Sequence, residues 1–357
     1  MTLRRYGVEG RERARCCGLR PGRPRTGAAA RGTPGVRKLT RLGGPSGPSV
    51  TRMTITVRDF RPDDAEAVVR VLREAIPPLL TTAEAQVWER EHTAEAARQR
   101  LLVAEVDGEV VGRCQTGLAH ESPTPGNAYV NTYVRPDRRG RGAGTALVAA
   151  AEVYLREVGA ERAYSWVLGD EESLAYAGRH GYAARRPAHF LRLDLTAPLP
   201  PLPEVPAGVE LVDCTAFADD PRPVFELDAA VTADEPSDVG AELDDYAEWL
   251  ESTWGHPCQS RELATLALVD GRPVAFSAVV TDGVSRMSSA MTGTLREYRG
   301  RGLASLAKTA TLHKARAAGL REAFTGNDAE NAPMLAVNRK FGYEICATEV
   351  RHVRELG

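Results

Sequence analysis

One short pattern occurs twice, and the distance between its copies constrains the fold more than any other feature. Arg139-Gly140-Arg141-Gly142-Ala143-Gly144 is matched by Arg299-Gly300-Arg301-Gly302-Leu303-Ala304, 160 residues further on. Other landmarks keep nearly the same offset. Asp107-Gly108 recurs as Asp270-Gly271, and Gly181-Tyr182 recurs as Gly342-Tyr343. A period this long duplicates a whole domain, not a solenoid unit. A chain of 357 residues has room for two such domains.

The expected layout follows from composition. Residues 1–52 hold thirteen Arg or Lys against two Glu, a charge of +11, with abundant Gly and Pro. Such a segment buries too little apolar surface to offset its ordering entropy. It is expected to be disordered, or to precede the native start, because Met53 opens a well-patterned strand. A basic nucleic-acid or membrane tail is the functional alternative. The first domain is expected over 53–197 and the second over 207–357. Between them, residues 198–206 form a proline-rich linker, extended and stiff. Outside the tail the net charge is −13, which argues against nucleic-acid binding by the folded part. The six cysteines form no CxxC pair, no zinc spacing and no disulfide framework. That pattern implies a reducing, cytoplasmic setting. No apolar run reaches the ~18 residues of a membrane span.

Within each unit the apolar periodicity changes in the same order. In the first, a strand near 55–60 precedes a helix to about 74, and a polar helical stretch fills 82–100. A hairpin turns at Asp107-Gly108. A strand over 130–134 stops at Pro136, which has no N–H to give a ladder. The glycine turn follows, then a helix over 145–158, a strand over 163–168, a helix over 171–179 and closing strands over 182–195. The second unit repeats this order from residue 209. The fold class is α+β, an α/β mixed sheet in each unit.

The glycine turn carries the chemistry. A glycine turn that feeds a helix start leaves several N–H groups unpaired and pointing one way. The helix dipole adds partial positive charge there, so an anion such as a pyrophosphate is the natural guest. A kinase-type P-loop needs Gly-Lys-Ser/Thr, which Gly144-Thr145 and Gly302-Leu303 lack. A dinucleotide fold places its turn after the first strand, and here it follows the fourth.

The remaining pattern, Arg-x-x-Gly-x-Gly/Ala after a mid-domain strand, resembles that of the GNAT acetyltransferase superfamily. The lead-in Val134-Arg135-Pro136-Asp137 and the Gly-Tyr pairs are also similar to that family's. The resemblance covers roughly 53–197 and 207–355. It implies two tandem GNAT-like domains, each a twisted mixed sheet flanked by helices. It further implies acetyl-CoA as co-substrate, no metal, and direct attack of a small-molecule primary amine on the thioester. By resemblance, the amides of Gly140, Arg141, Gly142, Ala143, Gly144 and Thr145 hold a pyrophosphate. Those of Gly300, Arg301, Gly302, Leu303, Ala304 and the next residue do the same in the second unit. Arg139 and Arg299 are expected to reach the phosphates, and backbone near Val134 and Thr294 to pair with the pantetheine arm. The family's usual tyrosine lies four residues before the Gly-Tyr pair, where this chain has Ala177 and Asn338. Tyr176 is one position early. Tyr176 and Asn338 are the catalytic candidates, and Asn331 shares a helix face with Asn338 and is a candidate for holding coenzyme A. Capping is the alternative for the polar groups of that segment, Asn327 and Asp328 first. The denser polar set makes the second domain the expected catalytic half. The acidic run from Asp234 to Glu251 is expected to attract a cationic acceptor. A non-catalytic acyl-CoA sensor is the alternative function. The chain is expected to act as a monomer or homodimer, with no membrane or nucleic-acid partner.

Overall fold

A computed structural model describes residues 37–38, 54–234 and 243–357. The rest of the basic tail and residues 235–242 of the acidic run lie outside the described residues. The strands are β1 (Arg37–Lys38), β2 (Ile55–Asp59), β3 (Arg100–Val106), β4 (Glu109–Leu118), β5 (Asn127–Val134), β6 (Arg162–Leu168) and β7 (Ala183–Asp194) in the first half. In the second they are β8 (Val209–Asp213), β9 (Thr265–Val269), β10 (Arg272–Thr281), β11 (Arg286–Thr294), β12 (Glu322–Asp328) and β13 (Glu344–Glu355). The helices are α1 (Ala65–Ala75), α2 (Ala83–His92), α3 (Ala143–Glu157), α4 (Glu171–Arg179), α5 (Arg222–Thr232), α6 (Tyr246–Trp249), α7 (Leu303–Ala317) and α8 (Ala332–Lys340).

Local chemistry explains the repeated elements. Both hairpins turn on an aspartate in the left-handed region, Asp107 at φ 51° and Asp270 at φ 52°, each followed by a left-handed glycine. Asp-Gly is the pair that tolerates this two-residue turn. Before α1, Asp64 accepts from the N–H of Arg61 at 2.8 Å and from both terminal nitrogens of Arg58. Those bonds hold its carboxyl below the usual carboxylate range against the opposing pull of burial. The helical stretch expected over 82–100 is shorter: α2 ends at His92, and β3 begins at Arg100.

The sheet order departs from two self-contained units. It runs β1-β2-β3-β4-β5-β6-β13-β7-β12-β11-β10-β9-β8. The last strand of each half therefore lies in the other half's sheet: β13 pairs with β6, and β7 with β12. The cores show the same exchange. Leu191 and Leu193 of β7 pack with Leu312, Phe341 and Tyr343 of the second half. Leu356, just past β13, packs with Leu147 and Leu155 of α3. Burying a Leu is worth about 2 kcal/mol, so each half draws part of its core stability from the other's chain. Residues 198–206 carry no regular structure and are mostly exposed.

Candidate functional site

The two glycine turns have the same geometry. After β5 a single 3₁₀ turn, Pro136–Arg138, leads into Gly140 at φ 71° and Gly142 at φ 95°. After β11 a turn over Arg296–Tyr298 leads into Gly300 at φ 78° and Gly302 at φ 76°. A Cβ at Gly140, Gly300 or Gly302 would meet nothing within 4 Å. Glycine is needed there for the left-handed backbone, and the space above is open. The first amides to find a partner inside the helices are those of Ala146, donating to Gly142 O at 3.0 Å, and Leu306, donating to Gly302 O at 2.9 Å. The amides of 140–145 and 300–305 donate to no described residue. Gly142 and Gly302 have no side chain with which to cap the helix. Amides left without an acceptor at the positive end of a helix dipole suit an anion such as a pyrophosphate.

Each turn sits beside an opening in the sheet. β5 and β6 pair in parallel only through Asn127, Ala128 and Tyr129, and β11 and β12 only through Arg286, Met287 and Ser288. Beyond those points the strands diverge, so one edge of 130–134 and of 289–294 lacks a strand partner. The first opening is bridged by a side chain: Asn131 Oδ1 accepts from Trp166 N at 3.3 Å. The second has Met291 in the corresponding place.

The expected site residues divide into groups. Arg139 and Arg299 turn back on their own strands, with Nε donating to the carbonyls of Val134 (3.4 Å) and Thr294 (3.3 Å). Those two carbonyls are thus already engaged. Arg299 also pairs with Asp234, as does Arg296, whose hydrogen bond chiefly holds the Asp234 carboxyl below its usual range. The first carboxylate of the acidic run therefore neutralises arginines of the turn. Asp245 caps α6, and Glu248 pairs with His120 of the first half at 2.8 Å. Asn331 also caps: its side-chain oxygen accepts from Met334 N at 3.2 Å.

Tyr176 reaches the first turn. Its hydroxyl would lie 3.5 Å from a Cβ on Gly144, and it is buried beside Thr145 with no well-formed hydrogen bond among the described residues. Burial holds its pKa above the ordinary tyrosine value, so it stays protonated. Asn338 is different. It is fully buried, its Oδ1 accepts from Lys308 Nζ at 2.7 Å, and its Nδ2 donates to Asn327 Oδ1 at 2.5 Å. Asn338 thus has no surface with which to touch a substrate directly. Lys308 is absent from the expected site residues; a lysine on the apolar stripe of a helix is the sequence signal that points to it.

On the face of the second-half sheet away from α7 lies a pocket. Phe276 and Ala278 of β10 and Ala290 and Met291 of β11 form its floor. Trp249, Trp254, His256 and Asp228 form its walls. Asp228 is buried; Oδ2 accepts from Trp249 Nε1 at 2.8 Å, and Oδ1 from Thr232 Oγ1 at 3.5 Å. The pocket closes on the first half, where Glu89 of α2 stands 3.6 Å from His256 Nε2. α5 can lie this close to β11 because residue 293 is glycine; a Cβ there would meet Val231 at 2.2 Å. Among the described residues, His120, Glu121 and Glu248 form a metal-type trio, away from both turns.

Comparison with known proteins gives a consistent result. The model of the acetyltransferase (GNAT) family matches residues 66–182 and again 227–343. A mycothiol acetyltransferase of Nocardia farcinica is 30% identical over 262 residues, covering 72% of this chain and 84% of that protein. A second, from Nocardiopsis dassonvillei, is 27% identical over 285 residues, covering 73% and 83%. Among solved structures, a tandem GNAT protein from the clavulanic acid biosynthesis pathway superposes with a TM-score of 0.64 at 24% identity, over 85% of this chain and 99% of that one. A GCN5-related N-acetyltransferase from Sphaerobacter thermophilus gives 0.63 at 22% identity, over 85% and 96%.

Proposed function

The chain belongs to the acetyltransferase (GNAT) family, and from that premise we propose that it moves acetyl from acetyl-CoA to the primary amine of a small cationic acceptor, with the second half carrying the chemistry. The observation that supports this most is the pairing, in that half, of a strand opening without a side-chain bridge like that of Asn131 with a pocket that carries the carboxylate of Asp228. Acetyl-CoA supplies the acyl group as an activated thioester. The amides of 300–305 hold its pyrophosphate, and Arg299 has only to leave Thr294 O and Asp234 to add a charged contact. The free edge of 289–294 offers backbone groups to the pantetheine arm, and an N–H there stabilises the charge that develops on the carbonyl oxygen. Asp228 holds the acceptor's ammonium, while Trp249 and Trp254 cover its apolar faces. Once the amine is neutral, its nitrogen attacks the carbonyl carbon. The C–N bond forms, the C–S bond breaks, coenzyme A leaves as its thiolate, and one of the nitrogen's two protons passes to Asp228 or water while the other stays on the amide. In the first half the amides of 140–145 form an equivalent cradle, with the Tyr176 hydroxyl beside it.

The relatives named mycothiol acetyltransferase make the amine precursor of mycothiol the first acceptor to test. Thiol release on that precursor, on other cationic amines and on neutral amines tests the reading. Turnover no better on cationic than on neutral amines removes the cationic acceptor. The alternative is an acyl-CoA sensor, favoured by the sealed position of Asn338 and the alanine at 177. Binding without thiol release on any acceptor would establish it.

A further inference from the structure

We propose that Lys308, Asn338 and Asn327 form a one-way hydrogen-bond relay, which holds a polarised amide donor at the second-half opening for a carbonyl oxygen of the acyl-pantetheine arm. This rests on the reading of acetyl-CoA at the second turn. Lys308 lies on the sheet-facing side of α7 and is 1% exposed. Its Nζ makes one recorded hydrogen bond, to Asn338, and stands 4.9 Å from the centre of the Tyr343 ring. Among the described residues no carboxylate pairs with it.

The relay has a direction fixed by chemistry. A lysine ammonium only donates. Asn338 must therefore present its oxygen to Lys308, which sends its NH₂ to the oxygen of Asn327. Asn327 is then left with its NH₂ facing outward. It stands on β12 three residues past the last pair with β11, where the strands have parted, and it is only half-buried. A donor at the end of such a chain is strengthened by the links behind it. Lys308 and Asn338 are positioning residues; Asn327 makes the contact.

The first half shows that the fold does not need these groups. By the offsets of the glycine turns, the strand pairs and the Gly-Tyr landmarks, Lys308, Asn338 and Asn327 correspond to Val148, Ala177 and Val167. All three pack in the apolar core of α3. A buried amine without a counter-charge is expensive, and an apolar filling is available, so its retention in one half points to use.

Burial lowers the Lys308 pKa to about 7. Its neighbours do not titrate with it. Tyr343, at the entrance to β13, is held neutral because burial raises its pKa. Asn338 on α8, Asn327 on β12, and Thr265, Ser277 and Ser289 on the strands under α7 are uncharged. The charge behind the relay is present below about pH 7 and fades above it.

The test is calorimetric titration of the full chain with acetyl-CoA at pH 6 and pH 9, for the wild type, Lys308→Met and Asn327→Ala, with the second site identified by its loss in Gly302→Glu. The relay requires that both variants weaken the second site about fivefold at pH 6, that Lys308→Met converge with the wild type, within about twofold, at pH 9, and that Asn327→Ala lose less at pH 9 than at pH 6. A loss equal at both pH values would mark a purely structural role and overturn the relay. So would no loss at pH 6. Should Lys308→Met fail to fold, ¹⁵N-NMR of the wild-type lysine side chains decides. A buried amine titrating near 7 and shifting when acetyl-CoA is added supports the relay, and an unmoved resonance overturns it. A wild type that takes up no acetyl-CoA would instead refute the underlying reading.

Discussion

The two halves share a turn, a strand opening and a sheet order, yet they put their polar groups on opposite faces. On the α1 side of the first half, Arg113 is 1% exposed, donates to Gln115 Oε1 at 3.3 Å and has no partner for Nε. Burial pulls its pKa below the ordinary arginine value. Gln115 in turn donates to Gln99, which also receives the hydroxyl of Tyr129. The corresponding floor of the second half is Phe276 and Ala278. Behind the opening the pattern inverts: Val148, Val167 and Ala177 in the first half, Lys308, Asn327 and Asn338 in the second. The turn and the opening are what the architecture requires. The polarity of each face is free to diverge, and that is where the two halves acquire different work.

The comparison breaks most plainly at the turns. A carboxylate placed against a pyrophosphate costs several kcal/mol, so Gly302→Glu is expected to cut acetyl-CoA-dependent thiol release by about a thousandfold. Gly142→Glu should leave more than about a third of it, since the proposal places the chemistry in the other half. The reverse ranking would move the chemistry to the first half.

Next in size is the buried lysine. Its folded pKa is depressed, so between about 7 and 10.5 the unfolded chain binds more protons than the folded one. Wild-type stability should therefore rise with pH across that window. Lys308→Met should flatten the rise and stabilise the protein below pH 7, by on the order of 3 kcal/mol. Val148→Lys, the mirror change, should destabilise by a similar amount and introduce a rise of the same sign. Urea midpoints at pH 6.5 and pH 9.5 check both.

The proposed acceptor pocket gives a smaller contrast. Asp228→Asn is expected to lower kcat/KM about twentyfold for a cationic acceptor and much less for a neutral one. Arg113→Met, at the first-half position that matches Phe276, should change turnover by less than about twofold. Smallest is Tyr176→Phe. Removing a buried hydroxyl that makes no well-formed hydrogen bond should raise stability by about 1 kcal/mol. Thiol release should stay within about twofold if the second half works alone; a large loss would return Tyr176 to the reaction.

Much of this was legible in the residues. The glycine turns and the Asp-Gly hairpins are positions where backbone conformation dictates the side chain, so sequence and structure coincide there. The exchange of β7 and β13 was not legible. Both strands carry an apolar face that either sheet edge satisfies, and the choice depends on the path of the chain across 198–206. Lys308 interrupts the apolar stripe of a 15-residue helix, but spacing along that helix does not say which groups of α8 and β12 it meets. The pocket walls come from α6, only four residues long, and the one-turn π-helix at Leu250–Trp254, too short for a periodic signal. Asn331 and Asn338 lie seven apart as read, but one caps the helix and the other is sealed beneath it, a difference of depth that spacing does not encode.

Calorimetric titration of the purified full chain with acetyl-CoA bears most directly on the open glycine turns. Saturable uptake, with one site lost in Gly302→Glu and thiol released only while that site remains, is the expected result. No uptake by the wild type, or uptake that survives both glutamate substitutions, would contradict the assignment of the turns as the place where the acyl donor binds.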